Sequence, residues 1–130
     1  MKRKILTVDD EYQAREIVAT LLEENGYIPL RAKNGKEALK IIKEEAPDLI
    51  VLDVLMPEKS GIKLYRELKT SETLKKIPVV ICSGIARRTF LRTHIAPSNR
   101  GQEKIVEPEG YMEKPVSPDA LAKIIKKLLD

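Results

Sequence analysis

The chain has 130 residues, with 24 Lys and Arg against 20 Asp and Glu, so its net charge is +4. This length predicts one domain, which can fold without disulfides or a structural metal. With 34% charged and 42% hydrophobic residues, the composition fits neither a disordered chain nor a coiled coil well. The single cysteine, the lack of a signal-peptide core after MKRK and apolar runs of at most four residues predict a cytoplasmic protein without a membrane span.

Short apolar runs alternate with amphipathic stretches, which is typical of a parallel α/β sheet. The run Lys4 to Val8 predicts a strand covered on both faces. Glu11 to Glu24 has apolar residues at helical spacing and is followed by Asn25-Gly26, a helix stop signal. Tyr27 to Ala32 predicts an edge strand, because Pro29 lacks an amide donor.

The middle of the chain predicts two helices on either side of a buried strand. Asn34 and Glu37 have the spacing of a capping box, ahead of a helix that ends before Pro47. Leu49 to Leu52 is the most apolar strand, so we place it at the centre of the sheet. Ile62 to Lys69 has the apolar spacing of a third helix.

The last part of the chain predicts two further strands, Val79 to Ser83 and Tyr111 to Glu113. A fourth helix is expected over Thr89 to Ile95, although prolines and glycines interrupt the stretch from Gly84 to Gly110. Ser117 is the predicted N-cap of the last helix. Right-handed crossovers between these elements give an α/β fold with a doubly wound parallel sheet and a ligand site beyond the carboxyl ends of its strands.

The residues that follow the central strands therefore converge at one edge of the sheet: Asp9 and Asp10, Asp53, Ser83 and Lys114. Three neighbouring carboxylates repel one another unless they share a cation, and Mg²⁺ suits such oxygen ligands. An ammonium and a hydroxyl can hold an anion beside the metal. This set of groups is what phosphoryl transfer to an aspartate requires.

The sequence resembles the receiver domains of two-component response regulators. The resemblance spans the chain and rests on four stretches in the family's order and spacing: TVDDE at 7–11, PDLIVLDVLMPEKSG at 47–61, VVICSG at 79–84 and YMEKP at 111–115. It implies a five-stranded, flavodoxin-like or CheY-like (βα)5 sheet of strand order 2-1-3-4-5, and a single receiver domain over residues 1–130. It also implies a sensor histidine kinase or phosphotransfer protein as phosphoryl donor, and a downstream output protein.

The same resemblance implies the roles of individual residues. Asp53 would be the phosphoacceptor. Mg²⁺ would be bound by Asp10, Asp53 and the backbone carbonyl of Leu55, with Asp9 acting through a metal-bound water.

On the other side of the acceptor, Lys114 and Ser83 would contact the phosphoryl oxygens. Tyr111 would be the aromatic switch residue, acting together with Ser83. The peptide bond before Pro115 would be cis.

Several of these residues have simpler interpretations. The acids at 9–11 could merely favour the start of the first helix, and Ser83 could be an ordinary polar strand end. Tyr111 could be plain packing. We expect Cys82 to be a buried core residue and His94 to be a surface side chain without a partner.

Two features depart from the family pattern. The 31 residues from Ser83 to Lys114 are more than the resemblance leads us to expect, which makes 84–110 an atypical, lengthened segment. Residues 84–104 carry five of the basic residues against one acid, which equals the whole net charge. Our hypothesis is a basic docking surface at Arg87, Arg88 and Arg92 for an acidic partner; the alternative is a solvated loop, and nucleic acid is disfavoured.

The second departure is that Leu55 and Ile85 are apolar at positions that are commonly polar in the family. Apolar neighbours hinder an attacking water, so we expect a long-lived aspartyl phosphate. The chain is then not an enzyme with an external substrate: it catalyses only its own phosphorylation and a slow autodephosphorylation. The length leaves no room for an output domain unless the chain is a fragment.

Two other classes of function fit the sequence less well. A phosphohydrolase of the haloacid dehalogenase type needs a second acid two residues after its nucleophile, where this chain has Leu55. A flavodoxin-like cofactor-binding module should offer backbone amides to a phosphate in its first loop, where Asp9, Asp10 and Glu11 would repel it.

Overall fold

The computed structural model of the chain describes residues 2–95 and 105–130. In this part of the chain, five parallel strands form one sheet in the order β2-β1-β3-β4-β5. This confirms the predicted fold class and strand order. The strands are β1 (Lys4–Val8), β2 (Ile28–Ala32), β3 (Leu49–Leu52), β4 (Val79–Ser83) and β5 (Gly110–Glu113).

The predicted positions of the strands in the sheet are confirmed. Strand β2, which contains Pro29, lies at one edge. Strand β3 lies at the centre, and all of its residues are buried. A central parallel strand is covered on both faces, which explains its unbroken apolar sequence.

Helices follow the strands: α1 (Tyr12–Glu24), α2 (Gly35–Glu45), α3 (Ser60–Thr70), α4 (Arg87–Phe90) and α5 (Pro118–Leu129). The predicted caps are present, since the side chain of Asn34 accepts a hydrogen bond from Glu37 N and that of Ser117 accepts one from Ala120 N. Ile17 lies on the predicted apolar stripe of α1 but is 52% exposed.

The prediction for the fourth helix was wrong in its limits. Helix α4 begins two residues earlier than expected and continues as a π-helical turn over Leu91–Ile95. Residues 96–104 lie outside the described residues, and with them Arg100, Glu103 and Lys104 of the charge count.

The sheet separates two groups of core side chains because residues alternate between its faces. On one face, Ile50 and Leu52 of β3 pack with apolar side chains of α2, α3 and α4. On the other face, Leu49 and Val51 pack with side chains of α1 and α5. Helices therefore pack on both faces of the sheet whose carboxyl edge carries the predicted site.

Candidate functional site

The strand hydrogen bonds continue into the predicted site and fix its backbone. Asp9 N donates to Ala32 O at 3.1 Å, and Asp53 N donates to Val8 O at 3.0 Å. On the other side of the site, Lys114 N donates to Ser83 O at 2.8 Å. These hydrogen bonds extend the sheet by one residue, so they fix the backbone of Asp9, Asp53 and Lys114 at the same edge.

Lys114 joins the two buried acids of the site. Its ammonium Nζ lies 2.8 Å from Asp9 Oδ2 and 3.1 Å from Asp53 Oδ2. Both aspartates are 5% exposed. Burial lowers the pKa of Lys114, but the hydrogen bonds and charges of Asp9 and Asp53 outweigh it and raise that pKa above its ordinary value. The lysine is therefore a fixed positive charge between the two carboxylates.

Local backbone hydrogen bonds orient the remaining oxygens of these acids. Asp9 Oδ1 accepts from Glu11 N at 3.0 Å, and Asp53 Oδ1 accepts from Leu55 N at 2.9 Å. Each acid thus presents one oxygen to a backbone amide and the other to Lys114. Side-chain to backbone bonds of this i to i+2 type shape the loop and hold the carboxylate rotamer.

Asp9, Asp10 and Asp53 form a cluster that could hold a metal ion. Each can offer a carboxylate oxygen such that these oxygens lie within 4.8 Å of one another, and Asp10 is exposed while the other two are buried. Hard oxygen donors partly open to water suit Mg²⁺, which keeps several of its water ligands. The donor set therefore fits the predicted ion. Leu55 adjoins the cluster through its amide, and its carbonyl stays a predicted ligand.

Gly61, in the first turn of α3, lets this helix approach the acceptor loop. A Cβ atom at this position would lie 2.5 Å from Asp53 O and 2.6 Å from Val54 Cα. Backbone that close leaves room only for glycine. The KSG part of the sequence motif thus sets the distance between α3 and the loop that carries Asp53.

Ser83 ends β4 and is completely buried. Its hydroxyl accepts a 3.4 Å hydrogen bond from Ile85 N. Within the described residues, no hydrogen bond joins this hydroxyl to the side chain of Asp53 or of Lys114. Its predicted contact with a phosphoryl oxygen therefore remains a prediction.

Tyr111 on β5 points its hydroxyl at the backbone that follows β4. The hydroxyl donates to Ile85 O at 2.6 Å. Burial, with the nearby charges of Glu113 and Asp53, raises the pKa of Tyr111 to about 12, so this phenol stays a donor at neutral pH. Tyr111 thus both packs against the core and holds the backbone of Ile85 by a hydrogen bond. The peptide bond between Lys114 and Pro115 is cis.

The two apolar neighbours of the acceptor differ in their surroundings. Leu55 is 56% exposed, and its Cδ1 would lie 3.7 Å from a Cβ atom at Gly84. Ile85 is half-buried and packs against the core of its sheet face. The side chain of Leu55 is therefore exposed at the entrance of the site, whereas that of Ile85 also contributes to the packing of the core.

The expectation for His94 was wrong. This side chain is half-buried, and its ring centroid lies 5.4 Å from that of Phe90. Burial, together with the positive charges of Arg66 and Lys59, lowers the pKa of His94. Cys82 is buried as expected, and burial raises the pKa of its thiol to about 11.

Sequence reasoning missed a second set of contacts, which hold residues 105–109, the return segment. The Tyr65 hydroxyl donates to Val106 O at 2.6 Å. The buried ammonium of Lys69 lies 2.6 Å from Glu109 Oε1, which also accepts from Val79 N at 2.7 Å. The sequence signal that could have revealed these contacts is Lys69 itself, because it follows Ile62 and Tyr65 at helical spacing and so lies on the apolar side of α3.

Comparisons with known proteins agree with this geometry. The chain matches the family model of the response regulator receiver domain over residues 5–126. It is 30% identical to the polar-differentiation response regulator DivK of Brucella anthropi over 99% of this chain and 98% of that protein.

Two further proteins illustrate the range of similarity. The chain is 36% identical to the phosphate regulon transcriptional regulatory protein PhoB of Pseudomonas aeruginosa, over 98% of this chain but only 52% of that protein, so it spans about half of PhoB. A high-resolution structure of the chemotaxis response regulator CheY4 of Vibrio cholerae superposes with a TM-score of 0.81, at 24% identity over 98% of this chain and 99% of that one. This shows the shared fold. From the family match and the similarity to DivK over nearly its full length, the chain belongs to the response regulator receiver domain family.

Proposed function

We propose that the chain is a phosphorylation-dependent switch of a two-component system that accepts a phosphoryl group on Asp53. The observation that carries the proposal is the position of the Asp53 carboxylate. It is buried at the end of the central strand, 3.1 Å from the Lys114 ammonium and next to Asp9 and Asp10. A carboxylate with a fixed cation beside it and further acids for a metal is suited to attack phosphorus.

The reaction moves one phosphoryl group from a histidine of a sensor kinase or phosphotransfer protein. The N–P bond of the phosphohistidine breaks as an O–P bond forms to a carboxylate oxygen of Asp53, and the histidine nitrogen keeps the electron pair. Lys114 balances the charge of the incoming group. Mg²⁺, held by Asp10, Asp53, the Leu55 carbonyl and through water by Asp9, would neutralise the phosphoryl oxygens.

The switch would follow from the new group on Asp53. Its oxygens would add acceptors on the side of Ser83 and Lys114, and the hydroxyl of Ser83 would turn toward them and give up its long hydrogen bond from Ile85 N. Tyr111 would then exchange its bond to Ile85 O for an inward position. This shifts the balance between two surface conformations that both exist before phosphorylation.

The chain would act on itself and not on an external substrate, and we propose that it works in the cytoplasm. The described residues contain no helix long and apolar enough to cross a membrane.

We place the partner surface at α4. Arg87 and Arg88 are exposed on α4, and Arg92 is exposed on the π-helical turn that follows it, as the docking hypothesis requires. Arg87 lies 3.7 Å from Glu107, but this surface pair is open to solvent and therefore weak. We expect reversal of the three arginines to Glu to weaken binding of an acidic output protein. Unchanged affinity, measured by calorimetry, would rule out this surface.

The function is tested by incubating the protein with Mg²⁺ and acetyl phosphate and measuring its intact mass. We expect one phosphate adduct on the wild type and none on Asp53→Ala. Glu44→Ala, which removes an exposed acid near the C-terminal end of α2, is the control for loss of a carboxylate. An adduct that persists in Asp53→Ala would show that another residue accepts the phosphoryl group.

A further inference from the structure

The ring of Phe90 lies between the two tyrosines of this region. Phe90 is 1% exposed and is the last residue of α4. Its centroid lies 5.5 Å from that of Tyr65 in an edge-to-face arrangement and 5.9 Å from that of Tyr111. Aromatic rings at these distances attract one another beyond the effect of burial alone.

The hydroxyls of these tyrosines hold two separate stretches of backbone. Tyr111 donates to Ile85 O, at the start of residues 85–95, which we call the α4 segment. Tyr65 donates to Val106 O in the return segment. Both bonds are 2.6 Å long. The same ring therefore packs against the donors that hold both segments.

The apolar contacts around Phe90 connect the segments further. Ile95 at the end of the π-helical turn and Ile105 at the start of the return segment are 7% and 6% exposed, and both belong to the core group that contains Phe90. A closely packed interior transmits a displacement because it has no free volume to absorb it.

We propose that Phe90 is a positioning residue that couples the two tyrosine hydrogen bonds, so that losing the bond from Tyr111 to Ile85 loosens the bond from Tyr65 to Val106. The return segment then opens together with the α4 segment. This deepens the proposed function, because it extends the movement of Tyr111 to a second surface, next to α3.

The coupling can be tested in the unphosphorylated full chain by hydrogen exchange with mass spectrometry. Tyr111→Phe removes only the hydroxyl. We expect exchange of residues 105–109 to become about fivefold faster, the ratio that corresponds to one typical net hydrogen bond. Because coupling is reciprocal, Tyr65→Phe should accelerate exchange of the Phe90 amide, which donates to Ala86 O, to a similar degree.

Phe90→Leu should abolish the coupling while keeping an apolar side chain. In that background, adding Tyr111→Phe should leave exchange of residues 105–109 unchanged. Val18→Ala, which weakens the core on the opposite sheet face, is the control for general destabilisation and should preserve the fivefold response.

Two results would overturn the coupling. One is an exchange rate of residues 105–109 that does not change in Tyr111→Phe. The other is a response that survives in the Phe90→Leu background. If Phe90→Leu does not fold, the single variants Tyr111→Phe and Tyr65→Phe still test the coupling, because each should accelerate exchange in the other segment. All of these measurements omit a phosphoryl donor, so a failed phosphorylation of Asp53 would not affect them.

Discussion

The two oxygens of Asp53 have different partners, which gives the acceptor a defined orientation. Oδ1 accepts from the amide of Leu55 and Oδ2 from the ammonium of Lys114. A side chain held at both oxygens has little rotational freedom to lose in a reaction. The geometry of the acceptor is thus set by its neighbours in the chain and by one residue 61 positions away.

The lifetime of the aspartyl phosphate is predicted at the scale of one residue, Leu55. We expect Leu55→Asn to shorten the half-life by about tenfold, because an amide can orient the attacking water and positioning effects commonly exceed this factor. The measurement is the decay of the phosphorylated mass after removal of the donor.

The structure makes Leu55 a cleaner site for this test than Ile85. Leu55 is exposed, so its replacement should leave the fold intact, whereas Ile85 packs against the core. Leu55→Met keeps an apolar side chain and should behave as the wild type. Equal half-lives for Leu55→Asn and wild type would contradict the role of Leu55.

Among the elements, α3 connects the acceptor to the region that follows β4. Its first turn approaches the Asp53 loop at Gly61, and its last turns hold the return segment through Tyr65 and Lys69. Strand β5 begins directly after Glu109, so the Lys69 pair fixes where β5 starts. The lengthened connection therefore leaves Tyr111 and Lys114 in register with β4.

We expect Lys69→Met to lower the free energy of unfolding by about 2 kcal/mol. The substitution leaves the carboxylate of Glu109 without its cation, and breaking a buried ion pair on one side is costly. This value lies below the usual cost of about 3–5 kcal/mol for breaking a buried pair, because the side chain of Glu109 is 34% exposed. Urea denaturation measures it.

Lys75→Met is the matched control for Lys69→Met. Lys75 pairs with Glu72 at 3.1 Å on the surface, where both side chains are exposed. Such pairs contribute about 0.5 kcal/mol or less. If both variants lost the same stability, the buried pair would not anchor the return segment as we infer.

At the scale of the whole molecule, the parallel sheet gathers groups that are far apart in sequence. Asp9 and Lys114 are 105 positions apart and share a hydrogen bond. In the described part of the site, three carboxylates face one ammonium, which leaves an excess of negative charge. An ion that binds this cluster only in the folded chain must stabilise the fold.

Magnesium should therefore raise the melting temperature. At ten times its dissociation constant, the gain is about 1.4 kcal/mol, which corresponds to about 5 °C for a domain of this size. Asp10→Asn should remove most of this shift without unfolding the protein, since Asp10 is exposed. Differential scanning calorimetry measures the shift.

Two controls separate magnesium binding from general salt effects. NaCl of equal ionic strength should not reproduce the shift, and Glu44→Gln should respond as the wild type. An undiminished shift in Asp10→Asn would mean that the ion binds elsewhere.

The sequence pattern was sufficient to predict the parallel sheet and the group of side chains that meets at the carboxyl edge of its strands. Continuous apolar runs predict buried parallel strands, and in such a sheet the residue after each strand must lie at one edge. Asp9, Asp53 and Lys114 could therefore be grouped before any contact was known. The caps at Asn34 and Ser117 were equally readable, because they depend on neighbours three positions away.

The contacts around α4 and the return segment could be seen only once the chain was folded. Tyr65 and Val106 are 41 positions apart, and Lys69 and Glu109 are 40 apart. No local pattern specifies such pairs, because a lysine on an apolar stripe can point into solvent or to a buried partner. The surroundings of His94 could not be predicted for the same reason: Phe90 is near it in sequence, but the contact of the two rings depends on how α4 and the π-helical turn pack against α3 and β5.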